Sequence, residues 1–400
     1  MENFEQNLTI SEENIEKTEC IKFVNEISTN ILDTFPFESD DQKKNFIIEI
    51  DNLLEKNDVL SDVELLCKNI RISIASLDNS HTFLIEKNKE KQFGLESGIY
   101  YKANKFWFNT ENGTFEILRL NNISISELIE EKIKEIGGGT YDSKIGVALD
   151  KISTSENEEN VTLEVRDLNG EQNKIQTKFS KKHKSNERKY VESKILGESI
   201  GYLNVTSWSS HVKVNDKDIS ELIEDELKNL NNCDSLIIDN RQNGGGNSDF
   251  AEKLAGHFIQ KNTKYCKVST RISKTNEMIE KDITINSEGD FLNKKIVILT
   301  GPRSISSSEM FVLMLKDTGK AITIGQTTGG GSGNPIFFDL HLGNKDFLLG
   351  VSRWRMYRNN GEEIEGNGIE PDITVEINPE DVVNHHDVDL DKALEYLSKK

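Results

Sequence analysis

The sequence predicts an α/β fold with a layered core. From about residue 195 onward, strand-like and helix-like runs alternate. Two of the strands, Leu236-Ile-Ile-Asp and Lys295-Ile-Val-Ile-Leu-Thr, are continuous apolar runs of the kind buried on both faces. A helical pattern follows each of them.

Three regions follow from the patterning. Residues 1–75 read as helical: Ile21, Val24, Ile27, Ile31 and Leu32 recur at helical spacing, as do Phe46, Ile47, Ile50, Leu53 and Leu54, and Pro36 separates the runs. Residues 76–194 hold a short histidine-bearing stretch and then a small β-rich middle domain. Its turn signals are Asn109-Thr-Glu-Asn-Gly113, Gly137-Gly-Gly139 and Asn169-Gly170; one helical run extends from Ile125 to Ile136, and Val161-Thr-Leu-Glu-Val-Arg alternates as a half-buried strand does. Residues 195–400 form the α/β core. Its order is strand Gly201-Tyr-Leu-Asn-Val, helix Ile219 to Leu230, strand from Leu236, helix Phe250 to Ile259, strand from Lys295, and a helix from about Ser307 to Asp317. A last helix covers Leu390–Leu397.

Composition narrows the function classes. The formal net charge of −20 argues against nucleic acid or an anionic membrane as a main partner, because both repel an acidic surface. The four cysteines, Cys20, Cys67, Cys233 and Cys266, form no CxxC pair and no zinc spacing; Cys67 and Cys233 read as core residues. His385-His386 lacks a third ligand at suitable spacing and reads as a turn. No metal or organic cofactor is expected. The first residues, Met1-Glu-Asn-Phe-Glu-Gln-Asn, show no charged and apolar leader pattern, and no apolar run approaches the roughly 18 residues needed to span a bilayer. A cytoplasmic location is the expectation if Met1 is the native start. The lysine cluster Lys181 to Lys189 reads as a solvated loop.

Four segments carry chemistry. Gly301-Pro-Arg-Ser-Ile-Ser-Ser-Ser-Glu-Met-Phe311 follows a buried strand and opens a helix. A serine there sits at the positive end of the helix dipole beside free N–H groups, which suits a nucleophile; Ser306 with Glu309 three residues on is equally a capping box. Leu236-Ile-Ile-Asp-Asn-Arg-Gln-Asn-Gly-Gly-Gly-Asn247 puts three glycines after a strand, so backbone N–H groups can converge on an anion or simply form a flexible turn. It lacks the endings of a phosphate P-loop and of a dinucleotide fingerprint. Asp78-Asn-Ser-His-Thr82 holds a histidine in a polar turn. Glu362-Glu-Ile-Glu-Gly-Asn-Gly-Ile-Glu-Pro-Asp372 holds Glu365, which can orient a histidine or decorate a charged turn.

Together and in this order, the segments resemble the C-terminal-processing (tail-specific) peptidase family over roughly residues 60–90 and 195–397. The resemblance implies a crotonase-like α/β protease core and a serine endopeptidase or oligopeptidase. Many members use a Ser–Lys dyad, but here Gly331 stands at the lysine's place and no lysine lies between Lys320 and Lys345. The chain is instead similar to the tricorn-core-like branch, which implies a Ser/His/Ser/Glu tetrad of Ser80, His81, Ser306 and Glu365. The nucleophile falls on Ser306 and the base on His81. The oxyanion donors fall on the N–H of Ser307 and of a loop glycine, Gly245 first, with Gly244 or Gly246 as substitutes. The expected partner is a peptide or unfolded protein, and oligomerisation is compatible with the family. Phe115-Glu-Ile-Leu-Arg-Leu is faintly PDZ-like, with Gln92-Phe-Gly-Leu as a distant candidate for a carboxylate loop; a β-domain without tail specificity is the reading adopted. Two other readings stay open: an inactive ligand- or peptide-binding protein on this fold, and an esterase or amidase of a small metabolite.

Overall fold

The computed structural model describes residues 16–87, 93–181, 189–272, 277–288 and 294–399. Residues Met1 to Asn7, Gln92 and most of the lysine cluster lie outside the described residues. The two apolar runs, Ser235–Asp239 and Lys295–Thr300, pair in parallel at the centre of a six-stranded sheet. Ile200–Val205, Ala321–Gly325 and Ile373–Thr374 extend it in parallel, and Val191–Leu196 closes one edge antiparallel. Alternation sorts the side chains onto two faces. Leu236, Ile238, Ile296 and Ile298 pack with helices Ile219–Asn229, Ser248–Gly256 and Ser307–Lys316. Ile237, Val297 and Leu299 point the other way, against the helix Val388–Ser398. Both faces are covered, which is why the strands carry no polar alternation.

The middle region has its own core of Ile117, Ile125, Ile129, Ile145, Leu149, Leu163 and Val165 beneath an eight-stranded sheet. It contains two helices, Ile125–Ile133 and Tyr141–Ile152, where the sequence pattern shows one. The second starts at Thr140, whose Oγ1 accepts the Ser143 N–H at 3.4 Å, and its apolar spacing is diluted by Gly146 and two lysines.

The amino-terminal helices Lys17–Thr34, Asp40–Leu54 and Val63–Ala75 do not close a core by themselves. Phe23, Ile27, Phe46 and Ile70 share one cluster with Leu340, Leu342, Phe347, Leu349 and Val351. Those residues come from the antiparallel pair Ile336–Leu342 and Lys345–Val351, to which Phe83–Glu86 adds a third strand. All four cysteines are buried and unpaired. Among the described residues no three His, Cys, Asp or Glu side chains are placed to hold a metal, and no helix is long and apolar enough to cross a membrane. His386 bonds to Asp381 and Asp391, at 3.0 and 2.6 Å.

Candidate active site

The central strand ends at Thr300, and the chain turns through Gly301 to Ile305 before the helix Ser307–Lys316 begins. Ser306 caps that helix at φ 62°, ψ −126°. A side chain rarely occupies this region, and holding one there costs about 1–3 kcal/mol. The backbone is fixed from behind. Ser306 N–H donates to Gly331 O at 3.0 Å and to Glu309 Oε2 at 3.1 Å. Glu309 is fully buried and also accepts from Gly330 N and Gly331 N, both at 2.8 Å, and from Thr328 Oγ1 at 2.5 Å. Burial pushes its carboxyl up to about 7, against the pull of these donors. One half of the capping box therefore forms, on Glu309. The Ser306 Oγ faces away from it, 2.9 Å from His81 Nε2.

His81 follows the helix Val63–Ala75 in a tight turn that ends at the strand Phe83–Glu86. Asn79 shapes this turn. Its Oδ1 accepts from His81 N at 3.1 Å and Thr82 Oγ1 at 3.0 Å, while its Nδ2 donates to Glu365 Oε2 at 3.1 Å. Behind the imidazole, Ser80 Oγ lies 3.1 Å from Nδ1 and donates to Glu365 Oε2 at 3.3 Å. Glu365 further accepts the N–H of Ser80 at 2.9 Å, of Gly139 at 3.1 Å and of Ser332 at 2.8 Å. The four residues Ser306, His81, Ser80 and Glu365 thus lie in one hydrogen-bonded line. Part of His81 reaches solvent, yet the ring is deep enough that desolvation holds its pKa down at about 4. Desolvation acts oppositely on Glu365, raising its carboxyl to about 8.

The glycine loop lies against the same turn. A Cβ on Gly245 would stand 2.7 Å from Ile305 O and 2.8 Å from Ser306 Cβ, and its φ is +88°. Ser307 Oγ donates to Gly246 O at 2.7 Å and staples loop to helix. Gly245 N–H, the glycine donor ranked first from sequence, donates to Asn243 Oδ1 at 3.0 Å. The N–H groups of Ser307, Gly244 and Gly246 have no protein acceptor among the described residues. Gly331, at the place of a dyad lysine, has no room for a side chain: its Cβ would lie 2.6 Å from both Ile305 Cδ1 and Ser80 Oγ.

Several contributors escaped the sequence reading. Asn79 and Glu309 sit inside motifs that were singled out, but their bonds cross 286 and 22 positions of chain. Gly138 and Gly139 read only as a turn. In the structure a Cβ on Gly138 would lie 2.2 Å from both Glu365 Oε1 and Ser80 N. The run of three glycines was the available signal.

Residues 199–375 match the model of peptidase family S41. A carboxy-terminal-processing protease of Bartonella bacilliformis is 33% identical over 195 residues, 47% of this chain and 41% of that protein. The carboxy-terminal processing protease CtpB of Bacillus subtilis is 26% identical over 185 residues, 46% of this chain and 35% of its own. The chain therefore matches less than half the length of these curated relatives. Mature CPAF, solved with lactacystin, shares the fold at a TM-score of 0.73 and 13% identity, over 96% of this chain and 98% of its own. The photosystem II D1 C-terminal processing protease does so at 0.57 and 14%, over 89% and 93%.

Proposed function

We propose that this chain, which carries a peptidase family S41 segment at residues 199–375, is a serine peptidase that cleaves peptides or unfolded protein through an acyl-enzyme on Ser306. The observation that carries the reading is the 2.9 Å approach of His81 Nε2 to a strained serine at a helix N-terminus. His81 takes the Ser306 proton as Oγ attacks the carbonyl, and returns it to the leaving amine. Water, activated by the same imidazole, then hydrolyses the ester. Ser80 and Glu365 hold Nδ1 and the ring's orientation, the arrangement of the tetrad branch inferred from sequence. The oxyanion takes the Ser307 N–H and one N–H of the loop Gly244 to Gly246. The N–H groups of Gly244 and Gly246, which have no acceptor among the described residues, favour either over Gly245, whose N–H must leave Asn243 to serve. The family match weighs against a binding-only protein.

The test is labelling and turnover. A fluorophosphonate is expected to modify Ser306, and Ser306→Ala and His81→Ala are each expected to lower peptide turnover by about 10,000-fold or more while leaving the melting temperature near that of the parent. Undiminished turnover in either variant would overturn the assignment.

A further inference from the structure

The strand Phe83–Glu86 begins two residues after His81 and is paired on one side only, with Lys345–Val351. In that register Phe83 lies opposite Gly350 and Ile85 opposite Leu348, and the Lys87 N–H donates to Asp346 O at 2.8 Å. In an antiparallel pair, hydrogen-bonding residues alternate. Phe83 and Ile85 therefore spend their main-chain groups on the partner strand, and Leu84 and Glu86 direct theirs to the open side. Among the described residues no strand takes that edge.

The open edge is one wall of a cavity of about 690 Å³. The cavity reaches Ser80 and Ile305, which flank His81 and Ser306 in sequence, and its far wall is the middle-domain helix carrying Val147. Its lining mixes aliphatic side chains, Ile74, Ile136 and Ile305 among them, with charged ones such as Arg71, Lys132 and Glu135, and two of the lining residues are large aliphatics left in solvent: Ile85 is 52% exposed and Val147 41%. An isolated exposed aliphatic residue needs no explanation, but two lining one cavity beside an unpaired strand edge match one kind of occupant. An extended peptide satisfies both, its backbone by the outward N–H and C=O groups and its alternate side chains by the aliphatic walls.

We propose that an extended segment of the substrate docks as an added strand along Phe83–Glu86, with apolar side chains against Ile85 and Val147, and that this edge leads the chain to Ser306. The proposal rests on the peptidase reading and deepens it: the favoured substrate is an unfolded segment with alternating apolar side chains next to the scissile bond.

The test uses the full chain, fluorescein-labelled unfolded casein and the small ester p-nitrophenyl acetate, which reacts at the serine without filling the cavity. Ile85→Lys and Val147→Lys are expected to lower kcat/KM for casein by about tenfold each and to leave ester hydrolysis within about twofold. A peptide spanning the main casein cleavage site, N-methylated one residue at a time, is expected to lose about tenfold at alternate positions only. Casein cleavage that survives both lysines, or N-methylation with no alternation, overturns the docking edge while the peptidase stands. A parent chain that turns over the ester but not casein also overturns it. A parent chain that neither takes a fluorophosphonate nor hydrolyses either substrate overturns the peptidase reading itself.

Discussion

At the residue scale, the site sets two opposed shifts against each other. A buried imidazole resists protonation and a buried carboxyl resists ionisation, so His81 sits at about 4 and Glu365 at about 8. His81 is then neutral above about pH 4, the state the proposed mechanism asks of its base. In that mechanism Glu365 would offset an imidazolium only after losing its proton. The expected profile of kcat/KM against pH has an acid limb near pH 4, where His81 protonates, and a second rise through about pH 8, as Glu365 ionises. Glu365→Gln is expected to abolish the upper rise and keep the lower limb; a single limb at the ordinary histidine value would refute both shifts. Stability runs the other way. Both raised carboxyls, Glu309 at about 7 and Glu365 at about 8, favour the folded state fully below the ordinary carboxyl value of 4.5, and that contribution fades as pH rises through 7 and 8. Glu309 has a second duty, since it holds the N–H groups of Ser306, Gly330 and Gly331. An amide has one accepting oxygen and a donor facing the wrong way. Glu309→Gln is therefore expected to cost about 1–3 kcal/mol in stability, from a buried donor left unmet, and to lower kcat with little change in KM. Chemical denaturation and steady-state kinetics on the same preparation measure both.

At the element scale, the connection between the helices Ile125–Ile133 and Tyr141–Ile152 is part of the site, although both helices belong to the middle core. Gly139 N–H binds Glu365, and Thr140 N–H binds Gly329 O at 2.8 Å. Gly138, at φ +59°, passes so close to Glu365 and Ser80 that a methyl group cannot fit. Gly138→Ala is expected to push Ser80 and Glu365 apart and reduce turnover by about 100-fold or more, through misplaced groups, while the middle core keeps its secondary structure by circular dichroism. Unchanged turnover would show that the connection is a bystander. This element also marks how far the sequence was legible. The two central strands announce themselves because burial on both faces removes all alternation, and Ser306, His81, Ser80 and Glu365 stand in segments whose order is informative. Gly138 stands outside those segments, and Asn79 stands within one with nothing local to show what its side chain holds. A glycine in a turn looks the same whether it faces solvent or a carboxylate 227 positions away, and only the folded chain places Glu365 beside it. The helix Tyr141–Ile152 was hidden for a related reason: part of what holds it is the docking of its first turn on the 329–331 loop, which is not a local pattern.

At the scale of the whole molecule, the helical start of the chain is bound into the site through the core it shares. Phe23, on the first helix, packs its ring 5.0 Å from that of Phe347, on the strand next to Phe83–Glu86. Both are buried to 2% exposure or less. Phe347 pairs with Glu86 across the ladder, and three residues along the same ladder Gly350 pairs with Phe83, two residues after His81. A loss of packing at Phe23 therefore reaches His81 through one sheet. Phe23→Ala is expected to cost about 3–5 kcal/mol, the range for emptying a buried aromatic site. If the helices and the site form one cooperative unit, thermal unfolding followed by circular dichroism and the loss of fluorophosphonate labelling at Ser306 will shift downward together. If the helices were an appendage, helix signal would melt early and labelling would persist at the parent's midpoint. The shared cluster, with Leu340, Leu342, Leu349 and Val351 supplied from the other end of the chain, argues for the first outcome. Without the helices those four residues and Phe347 would lie bare, and exposing that much apolar surface is incompatible with a strand edge held steadily beside His81.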